Sequence, residues 1–225
     1  MKFDLRSRVV AEFMGSAFLL AAVVGSGIMG ERLCGGNVAV ALLANTISTG
    51  AILVALILVV GPISGAHLNP AVTLAMLTTG DIPWDDALMY GAAQIAGAFA
   101  GVASAHLMFG LPLFFASGHI RLGAAQLWSE AIATFGLLLV IQGCSRFRPS
   151  ATAYAVGAYI TSAYWFTAST SFANPAVTLA RSASDTFAGI RSVDAPGFIA
   201  AQLVGAFGAT ALFRQLRAVR IRNTD

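Results

Sequence analysis

This sequence has little charge. Asp, Glu, Lys and Arg make up 10% of its 225 residues, against a hydrophobic share of 57%, where a soluble domain carries roughly 25% charged residues. So few charges cannot cover the surface of a water-soluble fold of this size. From Leu33 to Gly80 there are none, and from Pro149 to Ala180 none again. Both runs exceed the roughly 20 apolar residues that cross a bilayer, so a polytopic protein surrounded by membrane lipid is expected. Cysteine is scarce too: Cys34 and Cys144 fall in connections expected at opposite membrane faces, too far apart to bridge. A catalytic set is missing as well. His67, His106 and His119 fall in different membrane layers without a partnered nucleophile. No enzyme activity, cofactor, metal site or nucleic-acid partner is therefore expected. "GSGIMG" at 25–30 matches a dinucleotide-binding pattern, but it ends an apolar span rather than joining strand to helix. Close helix packing is the better use for those small residues.

What is present is organised as spans. Full crossings are expected at 9–30, 37–60, 85–109, 122–143, 151–170 and 197–215, and "MKFDLRSR" leads into a first span too long for a signal peptide. The charge-free run over 33–80 would make a helix of about 72 Å, against a hydrocarbon core of about 30 Å. Gly61-Pro62 with Gly65 is expected to break it. Asn69 to Thr79 then forms a half-length helix, as does Asn174 to about Ser184. Short helices at membrane depth are tolerated only where protein or a water-filled cavity surrounds them.

The two half-helices carry one motif written twice. "HLNPAVTLAM" at 67–76 and "SFANPAVTLAR" at 171–181 share Asn-Pro-Ala-Val-Thr-Leu-Ala, with Asn69 and Asn174 spaced 105 positions apart. "QIAGAF" from Gln94 matches "QLVGAF" from Gln202, and Glu12 aligns with Glu130. Each half reads span, span, half-helix, span. Three full crossings are an odd number, so the second half enters from the opposite side. The chain is thus one domain over 1–225 built from inverted repeats at 1–110 and 120–225, with its site at the midplane between them. Nine basic residues, Lys2, Arg6, Arg8, Arg146, Arg148, Arg214, Arg217, Arg220 and Arg222, fall on one side, against Arg32, Arg121, Arg181 and Arg191 on the other. That imbalance puts both termini in the cytoplasm.

In each motif Asn takes the N-cap and Pro the first turn, where its missing N–H costs nothing. Pro70 and Ala71, like Pro175 and Ala176, let two helix starts meet at the midplane. Each start brings roughly half a positive charge. A cation about 4 Å from both meets repulsion of order 4 kcal/mol at an effective dielectric near 20. The Asn69 and Asn174 amides are free to donate to a passing oxygen. Such a hole passes hydroxylated neutral solutes and rejects cations. A secondary transporter is the alternative from another class, since inverted repeats and broken helices mark those folds as well.

These twin motifs, the "SGAHLNPAVT" segment at 64–73 and the duplicated Glu and Gln resemble the aquaporin and aquaglyceroporin family over nearly the whole chain. The resemblance implies an all-α membrane fold of six helices and two re-entrant half-helices, one pore per subunit and a homotetramer. It implies that Glu12 and Glu130 brace the re-entrant loops and that His67 lines the pore. The family's four filter positions map onto Thr49, Ser162, Ser171 and Val177. In most members the first is a bulky aromatic and the last an arginine. Here both are gone, so the expected filter has no charge, no ring and three small hydroxyls. Phe166, Phe172 and Trp165 are the rings near enough to refill it. A wide pore is favoured over a water-selective one. Filters without the arginine resemble those of the bacterial arsenic-resistance aquaporins, which implies arsenite and methylated arsenicals as permeants, with glycerol and urea, in the inner membrane. Arg181 lies four residues past Val177 on the same helix face. It is expected about 6 Å farther outward, either snorkelling to the surface or lending charge to an outer vestibule.

Overall fold

The computed structural model describes residues 3–222, with side chains through residue 216. Eight α-helices follow one another: α1 (Leu5–Leu33), α2 (Val38–Ser64), α3 (Pro70–Thr79), α4 (Trp84–Met108), α5 (Ala124–Phe147), α6 (Thr152–Phe166), α7 (Pro175–Arg181) and α8 (Ala195–Arg222). Five are long and apolar enough to cross a membrane: α1, α2, α4, α5 and most of α8. Among the described residues the nearest thing to a strand is one isolated bridge, Phe115 to Ser184. The fold is the all-α arrangement expected, and local chemistry sets its boundaries. Asp4 caps α1 by accepting from the Ser7 N–H at 2.9 Å, and Asn37 caps α2 by accepting from Ala39 at 3.1 Å.

Several boundaries differ from expectation, three of them for a clear local reason. The helix does not break at Gly61-Pro62; α2 runs through that pair and stops at Gly65. Proline near a helix end sacrifices one hydrogen bond, whereas Gly65 at φ +90° adopts a left-handed cap that ends the helix. The segment expected as the fifth crossing is short: α6 has 15 residues, preceded by a 3₁₀ turn at Pro149–Ala151, and is not among the five helices long enough to cross. The second half-helix ends at Arg181, not Ser184, because Ser184 is drawn into the bridge with Phe115.

Each repeat is held by one close crossing. A Cβ on Gly97 of α4 would collide with the Phe13 carbonyl of α1, and one on Gly205 of α8 with the Ala131 carbonyl of α5. These glycines occupy the same place in "QIAGAF" and "QLVGAF". Each lets two backbones touch, as small residues do in membrane helix pairs.

The fold has two unlike ends. One, the terminal end, joins the start of α1 to that of α4 through Arg8 and Asp86 at 2.7 Å. Arg214 reaches the Thr78 carbonyl there. Lys2 lies outside the described residues, as do the side chains of Arg217, Arg220 and Arg222. The other, the loop-rich end, carries the segments over 109–123 and 182–194. Phe115 and Ser117 donate to Ala183 and Ser182 at 3.1 and 3.0 Å. The buried His106 ring ties Leu113 O to Ser184 Oγ at 2.8 and 2.9 Å. Cys34 and Cys144 are both free thiols.

Candidate functional site

The paired motifs meet at the centre and hold one another. Asn69 and Asn174 have nearly the same backbone, φ −161° and −158°. Asn69 Oδ1 accepts from Ala71 at 2.9 Å, while its Nδ2 donates across to Ala173 O at 2.7 Å. Asn174 Oδ1 accepts from Ala176 at 3.0 Å, and its Nδ2 donates across to Leu68 O at 2.8 Å. Each amide therefore spends its oxygen on its own helix and one N–H on the opposite loop. The second N–H of each is left for the cavity that both residues line.

The loops feeding the two motifs are strained in register. Ala66 and Leu68 have φ of 50° and 49°, and their counterparts Ser171 and Ala173 have 50° and 48°. Gly65 corresponds to Thr170, at 90° and 61°. Left-handed backbone at a non-glycine residue costs of order 1–3 kcal/mol, so something must over-determine it. Glu12 and Glu130 do. Glu12 accepts from Ser64 Oγ, His67 N, Leu68 N and Gln94 Nε2 at 2.6–2.9 Å. Glu130 accepts from Ser169 Oγ, Phe172 N, Ala173 N and Gln202 Nε2 over the same 2.6–2.9 Å. Both carboxylates are fully buried, and four charge-assisted hydrogen bonds offset what burial costs each. The two glutamines then reach Thr73 and Thr178 at 3.0 and 2.9 Å. Those hydroxyls in turn bond the Asn69 and Asn174 carbonyls.

A cavity of about 240 Å³ passes both asparagines, reaching Ser145 and Thr152 at the terminal end and Thr49 and Arg181 at the loop-rich end. Its wall is two-sided. Aliphatic residues from α1, α2, α5 and α6, such as Leu19, Leu53, Leu137 and Ile160, face the polar loops and the two asparagines. His67 lines it, with Nδ1 3.1 Å from Thr73 Oγ1 and its ring edge-on to Tyr90 at 5.3 Å. The Thr73 hydroxyl also lies 3.1 Å from Asn69 O.

The expected filter positions are only partly together. Thr49, Ser171 and Val177 line the loop-rich end of the cavity. Ser162 does not; it is exposed on the outside of α6. The cavity face of α6 runs Thr152, Val156, Ile160, Tyr164, and Ser162 stands about 200° around the helix from its neighbours in that row. Tyr164 is the α6 residue there, its Oη 3.2 Å from Thr49 Oγ1. The four-residue periodicity of α6 was the signal for it. The end is therefore not without a ring. Trp165 and Phe166 are exposed, whereas Phe172 is buried against the cavity.

Nor is it without charge. Arg181 neither snorkels outward nor stands in an open vestibule: it is 2% exposed and lines the cavity. Its Nε donates to the Ala188 carbonyl, and its Cζ lies 3.4 Å from the Phe172 ring centre. Helical side chains lean toward the N-terminus of their helix, which turns this one back toward Val177. Its spacing is legible in the sequence; its direction is not. Arg121, 9% exposed, stands behind it with Nε on Gly189 O at 2.8 Å, Nη1 on Ser169 O at 3.1 Å and Cζ 4.9 Å from the same ring.

Comparison with known proteins agrees with this architecture. The family model for the major intrinsic protein family matches residues 1–149. The chain is 55% identical over 215 residues to the aquaglyceroporin AqpS of Rhizobium meliloti (strain 1021), covering 96% of this chain and 92% of that one. It is 37% identical over 112 residues to the glycerol uptake facilitator protein of Bacillus subtilis (strain 168), 44% of this chain and 41% of that one. The solved aquaglyceroporin of Plasmodium falciparum superposes with a TM-score of 0.74 at 22% identity, over 93% of this chain and 96% of that one, a likeness of fold. With twin asparagine-capped half-helices, twin buried glutamates and a cavity between them, this chain belongs to the major intrinsic protein family.

Proposed function

We propose that the chain is a passive channel for small neutral hydroxylated solutes, with arsenite and methylated arsenicals foremost and glycerol and urea as companions. The observation that carries this reading is the cavity passing both Asn69 and Asn174, polar on one side and aliphatic on the other. A polyhydroxylated solute that sheds water regains hydrogen bonds from the two free amide N–H groups. Its carbon skeleton, or the far side of a compact trihydroxide, slides along Leu53, Leu137 and Ile160. Arsenous acid, neutral at pH 7 and close in shape to glycerol, fits the same wall. Support for the arsenical part is narrower. It is Val177, small and apolar, standing where most family members carry an arginine, and the 55% identity to a bacterial aquaglyceroporin.

Among the described residues, no carboxylate lines the cavity, which favours a channel over ion-coupled transport. The chain sits in the inner membrane with both termini cytoplasmic, so the loop-rich end faces outward, and it assembles as a homotetramer. Stopped-flow measurements on proteoliposomes test the reading. Glycerol and arsenite flux linear in concentration and indifferent to a proton gradient is expected; saturation with gradient dependence would overturn it.

A further inference from the structure

The inverted repeat gives a position-by-position control for what the fold requires. Framework residues come in matched pairs: Glu12 with Glu130, Gln94 with Gln202, Thr73 with Thr178. Arg181 is matched to Met76, and both line the cavity, one at each end. A half-helix of this kind therefore does not need a cation at that place. Burying a guanidinium costs several kcal/mol unless it is paired, and among the described residues the ion pairs are Arg8 with Asp86 and Arg191 with Asp194. No carboxylate neutralises Arg181. What holds it is the Ala188 carbonyl and the face of Phe172, which positions the charge without cancelling it.

The surroundings are prepared for a ligand. Ser171, 3% exposed, lines the same end of the cavity, and its buried Oγ has no hydrogen-bond partner. Thr49 and Tyr164 present a bonded pair of hydroxyls there. Phe172 is matched to His67 in the other half, so the ring that seats the guanidinium also belongs to this end alone.

We propose that Arg181 is the displaced charge of this channel's filter: with Ser171, Thr49 and Tyr164 it forms the outer solute-binding constriction and repels cations there. The family's usual position is vacated at Val177, and the cation enters instead from one turn farther along α7, laid on Phe172. Arg121 is a positioning residue, fixing the loop carbonyls of Ser169 and Gly189 behind that ring. A cation set back one turn leaves room beside Val177 for a solute wider than water while keeping the charge barrier. The inference rests on the channel reading above.

The test uses the full chain in proteoliposomes, with glycerol flux followed by light scattering and potassium leak by a potential-sensitive dye. Wild type is expected to pass glycerol and hold potassium; without wild-type glycerol flux it is the channel reading that fails. Arg181→Gln is expected to change glycerol flux, since Arg181 is part of the constriction, and to raise potassium leak about tenfold or more, roughly 1.4 kcal/mol of barrier per tenfold. Should that variant not fold, Arg181→Met, which copies the matched residue, takes its place. Adding Val177→Arg to the leaky variant returns a cation to the pore wall and is expected to close the leak. A variant that stays as tight as wild type overturns the proposal. So does a leak that Val177→Arg leaves open, since the loss is then one of packing.

Discussion

Asn69 donates to the Ala173 carbonyl at 2.7 Å, and Asn174 returns the bond to Leu68 at 2.8 Å. The two halves of the chain thus clasp at the residues immediately before each other's motif. Asn174→Asp replaces a donor with a carboxylate facing the Leu68 carbonyl and puts a negative charge where two helix starts meet. Loss of that bond and of its partner's satisfaction costs about 1–3 kcal/mol. Solute flux is expected to fall and cation leak to rise. A well-folded variant with flux and ion exclusion both untouched would reduce the motif to a structural clasp.

Glu130→Gln keeps the shape of the brace and reverses part of its chemistry. An amide NH₂ would point at two of the four donors now held by the carboxylate. Two orphaned donors at about 1–3 kcal/mol each predict roughly 2–6 kcal/mol of lost stability. The melting temperature in detergent and the yield of folded protein should both drop, and Glu12→Gln should behave alike by symmetry.

Val177→Arg alone places a second guanidinium four residues from Arg181, on the same face of α7. Two like charges in a buried wall repel, and the added bulk narrows the passage. Glycerol and methylated arsenicals should be lost well before water in stopped-flow traces. Unchanged flux of the larger solutes would show that Val177 does not set the width.

Gly97→Ala and Gly205→Ala each drive a methyl group into a backbone carbonyl of the neighbouring helix. Overpacking of this kind costs about 1–3 kcal/mol. Gly143, which has nothing within 4 Å of its would-be Cβ, is the control. Thermal denaturation should separate the first two variants from Gly143→Ala; three equal curves would mean the crossings are looser than drawn.

Asp194 ties the loop-rich end together, accepting from Arg121 N at 2.9 Å and twice from Arg191 at 3.0 Å. The Arg191 hydrogen bonds hold its carboxyl below the ordinary value of 3.8. A lowered carboxyl pKa stabilises fully above the unfolded value and loses that contribution as pH falls through the folded one. Asp194→Asn should therefore melt below wild type at pH 7, with the gap unchanged at pH 5 and closing only in strong acid. A gap that closes between pH 7 and 5 would contradict this brace.

The architecture was legible because it is written as composition and repetition. Long charge-free runs force helices, and Asn-Pro at the head of each short helix announces its cap. Glu12 and Glu130 could be paired by alignment alone. What the sequence could not express is direction around and along a helix axis. Counting twelve residues back from Asn174 lands on Ser162, but the turn of α6 puts Tyr164 on the cavity side. Counting four forward from Val177 lands on Arg181 and suggests an outward-reaching charge. Only the folded chain brings the Ala188 carbonyl and the Phe172 ring to where they draw that side chain inward. Composition and repetition act through local, periodic forces that any stretch of chain expresses by itself. The lining of the cavity's loop-rich end depends on contacts between segments that meet only after folding, and tertiary structure decided it.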